Sequence, residues 1–305
     1  MPVEIPLLEV ARRRNRDIPR RGDKVYDAPF APKLIQMRLA SKIFVKGVKE
    51  VIGSENLGTV LELANTQRIT IVRNHTEDLN HHEGRMAYEA AGYPELADRS
   101  LYYAGYKMGE RPYINWFMGS EHTIWGPTPA DFDNLAKALA IRDQLPDEAV
   151  EVLLKYEENL KKAGDVSGGK ITELTKPGPK SLIYNGYPEG GRSYSGKVKD
   201  VAPETAASFG REGFFAPIVT MGGAERSLMP EHTPDPSARD WITMIVGEPF
   251  PKKEMWSWRE EGKKRGEVRN PTRYLMARVA ALLPDEYIEP QMLPIYREIA
   301  PRIAV

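Results

Sequence analysis

Cysteine is absent from the 305 residues. Disulfides are therefore excluded, and so is a thiol nucleophile. No run approaches the ~18 consecutive apolar residues that a membrane-spanning helix needs. The N-terminal MPVEIPLLEVARRR places its short apolar stretch before its basic cluster, the reverse of a secretory signal. Net charge is also missing: 43 Lys and Arg face 43 Asp and Glu. The chain as a whole thus carries no electrostatic footprint for nucleic acid. There is no internal repeat and no low-complexity tract. These absences lead us to expect a cytoplasmic protein, attached if at all to the inner face of a membrane as a peripheral protein.

What is present suits a large α/β protein. Hydrophobic residues make up 41%, ample for one domain with appendages. The charge balance is uneven along the chain. Residues 1–52 hold twelve basic against six acidic side chains, and the remainder is acidic. Such asymmetry suggests a basic arm for an anionic surface. Residues 1–30 are rich in Arg and Pro and read as an extended arm. From Lys33 to Ile52, the apolar residues Leu34, Ile35, Met37, Leu39, Ile43, Phe44, Val45, Val48, Val51 and Ile52 recur at near-helical spacing. Lys33, Arg38, Lys42, Lys46 and Lys49 fall between them. This predicts a basic amphipathic helix, packed on a core or lying on anionic headgroups.

Further along, short apolar runs alternate with helical patterns. Gln67 to Val72, Leu101 to Ala104, Ser181 to Tyr184, Phe214 to Met221 and Trp241 to Val246 read as strands. The last two are nearly continuous in apolar residues, which suggests a sheet covered on both faces. Residues 82–92 read as a helix stopped by Gly92. Thr128-Pro129-Ala130-Asp131 opens another with a capping pattern. A third spans about Asp147 to Ala163, with Gly164 as its stop and a loop through VSGGKITELTKPGPK. Pro203 to Arg211, residues 271–283 and Glu289 to Ile299 complete the helices. The expected fold is α/β: a mixed central sheet of about seven strands flanked by helices, with an N-terminal helical arm and C-terminal helices. The expected divisions are 1–55, a basic arm and helix; 56–250, the main domain with a helical hairpin over about 128–164; and 251–305, a helical extension.

Two strands end in chemistry-bearing turns. One runs into Asn74-His75-Thr76-Glu77-Asp78-Leu79-Asn80. The other runs into Tyr187-Pro188-Glu189-Gly190-Gly191-Arg192-Ser193. Paired glycines admit a ligand close to the backbone, and Arg presents a donor fork matched to phosphate or carboxylate. His75 is a candidate general base, since histidine as a residue type has a reference pKa of about 6.5. A different reading gathers His75, His81 and His82, with Glu77, Asp78 and Glu83, as a metal cluster serving a hydrolase. Their spacing matches no metal motif with a known mechanism.

The two turns together resemble the glycerolipid acyltransferases, the glycerol-3-phosphate and lysophosphatidate acyltransferases. That family carries N-H-x4-D after one strand and F-P-E-G-[TG]-R-S after another. Phe215-Ala216-Pro217-Ile218-Val219 is similar to its fourth block, and the resemblance covers roughly Arg68 to Phe250. The Asn-His-Thr-Glu run is most similar to the soluble plastid-type glycerol-3-phosphate enzymes. The resemblance implies transfer of an acyl group from acyl-CoA or acyl-carrier protein to glycerol 3-phosphate or a lysophospholipid, with no cofactor or metal. It implies His75 as base, and Asn74, Glu189, Gly190, Gly191 and Arg192 as substrate-binding residues, with Glu189 bracing the loop or binding a hydroxyl. The sequence departs from the pattern in three places. Asn80 stands where the family has the Asp that orients the His, leaving Asp78, preferred here, Glu77 or no carboxylate for that role. Tyr194 replaces a second Arg of the plastid-type enzymes. No Arg occupies the G-x-x-[FI]-x-R block, where His122 is the nearest polar residue. These departures keep a non-catalytic lipid-binding relative open as a third reading.

Overall fold

The structure is a computed structural model that describes residues 6–21, 45–75, 80–106, 122–189, 197–202, 205–223 and 236–302. In chain order its elements are α1 (Pro6–Arg21), β1 (Val45–Ile52), α2 (Glu55–Thr66), β2 (Ile69–Arg73), α3 (Asn80–Ala90), α4 (Pro94–Asp98), β3 (Ser100–Gly105), β4 (His122–Gly126), α5 (Pro129–Leu139) and α6 (Asp147–Leu174). There follow β5 (Ile183–Gly186), α7 (Thr205–Ser208), β6 (Phe214–Gly222), β7 (Asp240–Val246), β8 (Phe250–Pro251), α8 (Lys252–Lys264), α9 (Pro271–Ala280) and α10 (Leu293–Ile299). The chain divides into two compact units, Met1–Ala28 with Tyr103–Leu174, and Pro29–Tyr102 with Thr175–Val305.

The larger unit is the expected α/β architecture. Its strands run in the order β1-β7-β6-β2-β5-β3. Strand β2 is parallel to β5 and β6, β3 is parallel to β5, and β1 to β7. Strand β6 pairs antiparallel with β7 and with β8, so the sheet is mixed. Strand alternation divides the core. Phe215 and Val219 of β6 join Val72, Ile245 and the apolar side of α9 on one face. Ala216 and Ile218 join Ile69, Ile71 and residues of α2, α3 and α4 on the other. Both faces are therefore helix-covered, as continuous apolar strands imply. Strand β3 carries the chain into the other unit, where β4 lies next to it.

The smaller unit is built on α6. Its buried positions Ala149, Leu153, Tyr156, Leu160, Ala163 and Ser167 recur every three or four residues. Helix α1 lies along it, burying Ala11, Arg14 and Ile18. Arg14 donates to Tyr156 Oη at 2.7 Å and to Asp131 of α5, and Asn15 donates to the Val152 carbonyl at 3.0 Å. At the start of α5, the Asp131 carboxylate accepts from the Thr128 backbone N–H and hydroxyl, both at 2.7 Å.

Three sequence expectations are corrected. Residues 6–21 form a helix rather than an extended arm. Helix α6 does not stop at Gly164 but continues through Gly168 and Gly169 to Leu174. A helical glycine costs about 1 kcal/mol relative to alanine, and the uninterrupted buried stripe through Ala163 and Ser167 outweighs it. Val45–Ile52, read as the end of a basic helix, is strand β1. Register shifts between Val45 and Gly47, and between Val48 and Glu50, break its pairing with β7. Each shift inserts a residue into the alternation, so Val45, Val48 and Val51 fall three apart and imitate a helix. The remainder of that segment, 33–44, lies outside the described residues.

Candidate functional site

Strands β2 and β5 are adjacent and parallel, with Thr70 opposite Tyr184, Ile71 opposite Asn185 and Val72 opposite Gly186. The two turns singled out in the sequence therefore leave the sheet at the same end and side by side. In open α/β sheets that end, outside the carboxyl termini of the strands, is where ligands bind.

Two interactions fix His75 there. Its backbone N–H donates to Glu189 Oε2 at 2.9 Å. Its ring packs on Tyr187, with centroids 4.3 Å apart and planes tilted by 32°. Both partners come from the turn after β5. The imidazole itself is half-buried, whereas Asn74 beside it is buried.

Asn74 is committed to the framework. Its amide nitrogen donates to the Thr220 carbonyl at 2.9 Å, and its amide oxygen accepts from the Thr220 N–H at 3.0 Å. The side chain continues the β2–β6 ladder past the point where the β2 backbone turns away. This bidentate bond has a shape that no hydroxyl or carboxylate reproduces.

Glu189 is braced rather than open. Oε2 holds His75, and Oε1 accepts from the Lys199 N–H at 3.4 Å. Burial pushes its carboxyl up to about 7, although the two backbone donors favour the ionised form. Near neutral pH this group is poised between its two protonation states.

The remaining site residues of the sequence reading are placed unevenly. Asn80 opens α3, and its side chain lies outside the described residues, as do Asp78, Glu77, Gly190, Gly191 and Arg192. His122 is the first residue of β4 and belongs to the smaller unit. His82 is buried within α3. Among the described residues no group of three His, Asp or Glu gathers in a metal-binding arrangement.

Sequence reasoning missed two residues close to this end. Arg73, the last residue of β2, is fully buried on the face that carries Ile69 and Ile71. Its signal was a charge directly after the apolar run ITIV. Tyr187, read only as the start of the glycine turn, supplies the ring against His75. A further buried cation lies at the first turn of α8. Lys252 Nζ donates to Thr70 Oγ1 at 2.8 Å and to the Phe209 carbonyl at 2.7 Å, above the Phe215 ring.

The sequence matches no protein-family model and no curated protein. Among solved structures the chain is similar to a 1-acyl-sn-glycerophosphate acyltransferase from Thermotoga maritima, at 15% identity and a TM-score of 0.41, over 87% of this chain and 82% of that one.

Proposed function

We propose that this chain is an O-acyltransferase of the glycerolipid kind. The observation that carries the reading is the hydrogen bond from the His75 N–H to Glu189, which ties the Asn-His turn to the Pro-Glu-Gly-Gly-Arg turn at one end of the sheet. Two motifs more than a hundred residues apart in sequence meet where the chemistry requires both.

In this reading His75 takes the proton from the acceptor hydroxyl as its oxygen attacks the thioester carbonyl. The proposed role of the Gly190 and Gly191 backbone N–H groups is to bind anionic oxygen, and that of Arg192 is to seat the acceptor's phosphate. The tetrahedral intermediate expels the donor's thiol, and His75 returns the proton to it. No covalent acyl-enzyme is needed. Tyr187 sets the plane of the imidazole, while Asn74 and Glu189 hold the backbone that carries it. Asp78 is the proposed partner of the ring. Acyl-CoA or acyl-carrier protein is the donor, and glycerol 3-phosphate or a lysophospholipid is the acceptor. The basic N-terminal segment meets the anionic membrane surface from which such acceptors come.

The test is release of free thiol by the purified full chain, with acyl-CoA or acyl-carrier protein as donor and glycerol 3-phosphate or lysophosphatidate as acceptor. Acceptor-dependent release is expected, and His75→Ala should abolish it while leaving the circular dichroism and melting curve intact. Activity retained within a few-fold in His75→Ala would remove this residue from the mechanism. No release with any donor–acceptor pair would leave a lipid-binding relative.

A further inference from the structure

Among the described residues, the guanidinium of Arg73 is enclosed without a hydrogen bond. The residue is 0% exposed, and Nε, Nη1 and Nη2 are all buried and without a partner. A guanidinium does not shed its proton at any accessible pH. A buried charge persists only when it is paired or hydrogen-bonded, so its donors call for an acceptor.

The neighbouring groups among the described residues do not provide one. Tyr88, Tyr187, Tyr102 and Glu83 act on Arg73 electrostatically. Glu83 is the only carboxylate among these four. Its Oε1 fills the notch that a side chain on Gly223 would occupy, and none of its oxygens bonds the guanidinium. The Tyr88 hydroxyl, one turn along α3 from Gly84, is also buried and without a partner. Burial pushes that phenol above its usual pKa, so it stays a protonated donor. Gly84 completes the arrangement: Arg73 Nη1 occupies the space its Cβ would take, which brings α3 directly against the charge.

Donors on β2 and α3 thus share one enclosed region with too few acceptors. We propose that Arg73 and Tyr88 form an interior site for one small inorganic anion of the chloride class, which neutralises Arg73 beneath the His75 turn. The size follows from the enclosure. These nitrogens and this hydroxyl have almost no accessible surface, so a lipid phosphate arriving from solvent does not reach them. The ion is taken up as the chain folds and bridges the end of β2 to α3. Its occupancy is a matter of stability and is read without any assay of acyl transfer, so it stands or falls separately from the proposed reaction.

The experiment is thermal unfolding of the full chain at fixed pH and ionic strength, with chloride replaced stepwise by gluconate, which is too large to be enclosed. A saturable fall in Tm as chloride is withdrawn is expected, with bromide restoring it. Arg73→Met, apolar and similar in length, should abolish the dependence. If Arg73→Met fails to fold, Tyr88→Phe is the second variant. Losing one hydroxyl donor should raise the chloride midpoint about tenfold. In crystals grown with bromide, an anomalous peak is expected within hydrogen-bond reach of Arg73. The proposal is overturned by equal halide responses in wild type and Arg73→Met, or by an unchanged midpoint in Tyr88→Phe. It is equally overturned by stabilisation with inorganic phosphate alone, which would mean an open substrate site, or by no anion response, which would mean a guanidinium solvated by water.

Discussion

Asn74 and Thr220 are joined by two reciprocal hydrogen bonds, side-chain amide to backbone, at 2.9 and 3.0 Å. The relationship explains why the residue before His75 is an amide. It acts as one more rung of the sheet, and the imidazole is positioned from a rigid strand end rather than from a loose loop. Asn74→Ala leaves a buried N–H and C=O of Thr220 unpaired, at about 1–3 kcal/mol each. A loss of about 2–5 kcal/mol in urea unfolding is expected. Asn74→Asp should not rescue it, because a carboxylate cannot donate to the Thr220 carbonyl.

Gly84 faces the guanidinium of Arg73 with no room for a methyl group. On helix propensity alone Gly84→Ala would stabilise α3 by about 1 kcal/mol. Overpacking against a buried charge reverses the sign, and a net loss of about 1–3 kcal/mol is expected by chemical denaturation. A stabilised Gly84→Ala protein would show that Arg73 moves aside freely.

Glu189 makes stability depend on pH in the acidic range. Its folded-state value of about 7 lies above the ordinary 4.5, so the folded protein binds the proton more tightly than the unfolded chain. That contribution is complete below about 4.5 and is lost as pH rises through 7, up to about 3 kcal/mol in all. Denaturation between pH 4.5 and 8 should therefore show a fall that Glu189→Gln flattens. In the proposed reaction the same variant, by weakening one of the two brackets on His75, should lower turnover without altering substrate affinity.

Lys252 acts in the opposite direction at higher pH. Burial first, and the charge of Arg68 second, bring its ammonium down from 10.5 to about 7. The unfolded chain then binds the proton more tightly, so stability rises from pH 7 toward 10.5. The neutral amine still donates to Thr70 and Phe209. Lys252→Met should remove the rise and lower stability at pH 9, where both hydrogen bonds are otherwise intact. Together the two groups place a stability minimum near neutrality, testable by a pH series of urea melts.

Arg192 follows the resemblance and chemistry of its turn. Its planar donor fork is not copied by lysine. Losing charge-assisted hydrogen bonds worth about 1.5–3 kcal/mol each corresponds to roughly ten- to more than a hundredfold in affinity. With both substrates varied, Arg192→Lys should raise the acceptor KM and spare the donor KM. A raised donor KM instead would reverse the placement of the two substrates.

Much of the local structure was legible from residue order. Thr128-Pro129-Ala130-Asp131 announced the start of α5, because a cap is a bond between neighbours in sequence. Gly92 announced the end of α3. Its φ of 84° lets the Tyr93 N–H reach the Tyr88 carbonyl at 2.8 Å. The apolar runs before Asn74 and Tyr187 marked β2 and β5, since a strand buried on both faces needs little else. The prominence of His75 and Glu189 was legible too, from their place after those runs.

The tertiary structure decided what depends on partners distant in sequence. It made Val45–Ile52 a strand, because β7 offers an edge whose bulged register suits a three-residue apolar repeat. It carried α6 through three glycines, because its buried stripe continues through Ala163 and Ser167, where β4 packs on it. It supplied the partner of Glu189, because β2 and β5 are parallel neighbours and its carboxylate meets the His75 N–H. And it enclosed Arg73 against Gly84. Sequence by itself fixes which residues are charged, apolar or free to turn. Only the packing of β2 against α3 determines that this charge is shut away from water, because burial is a property of everything that surrounds a residue.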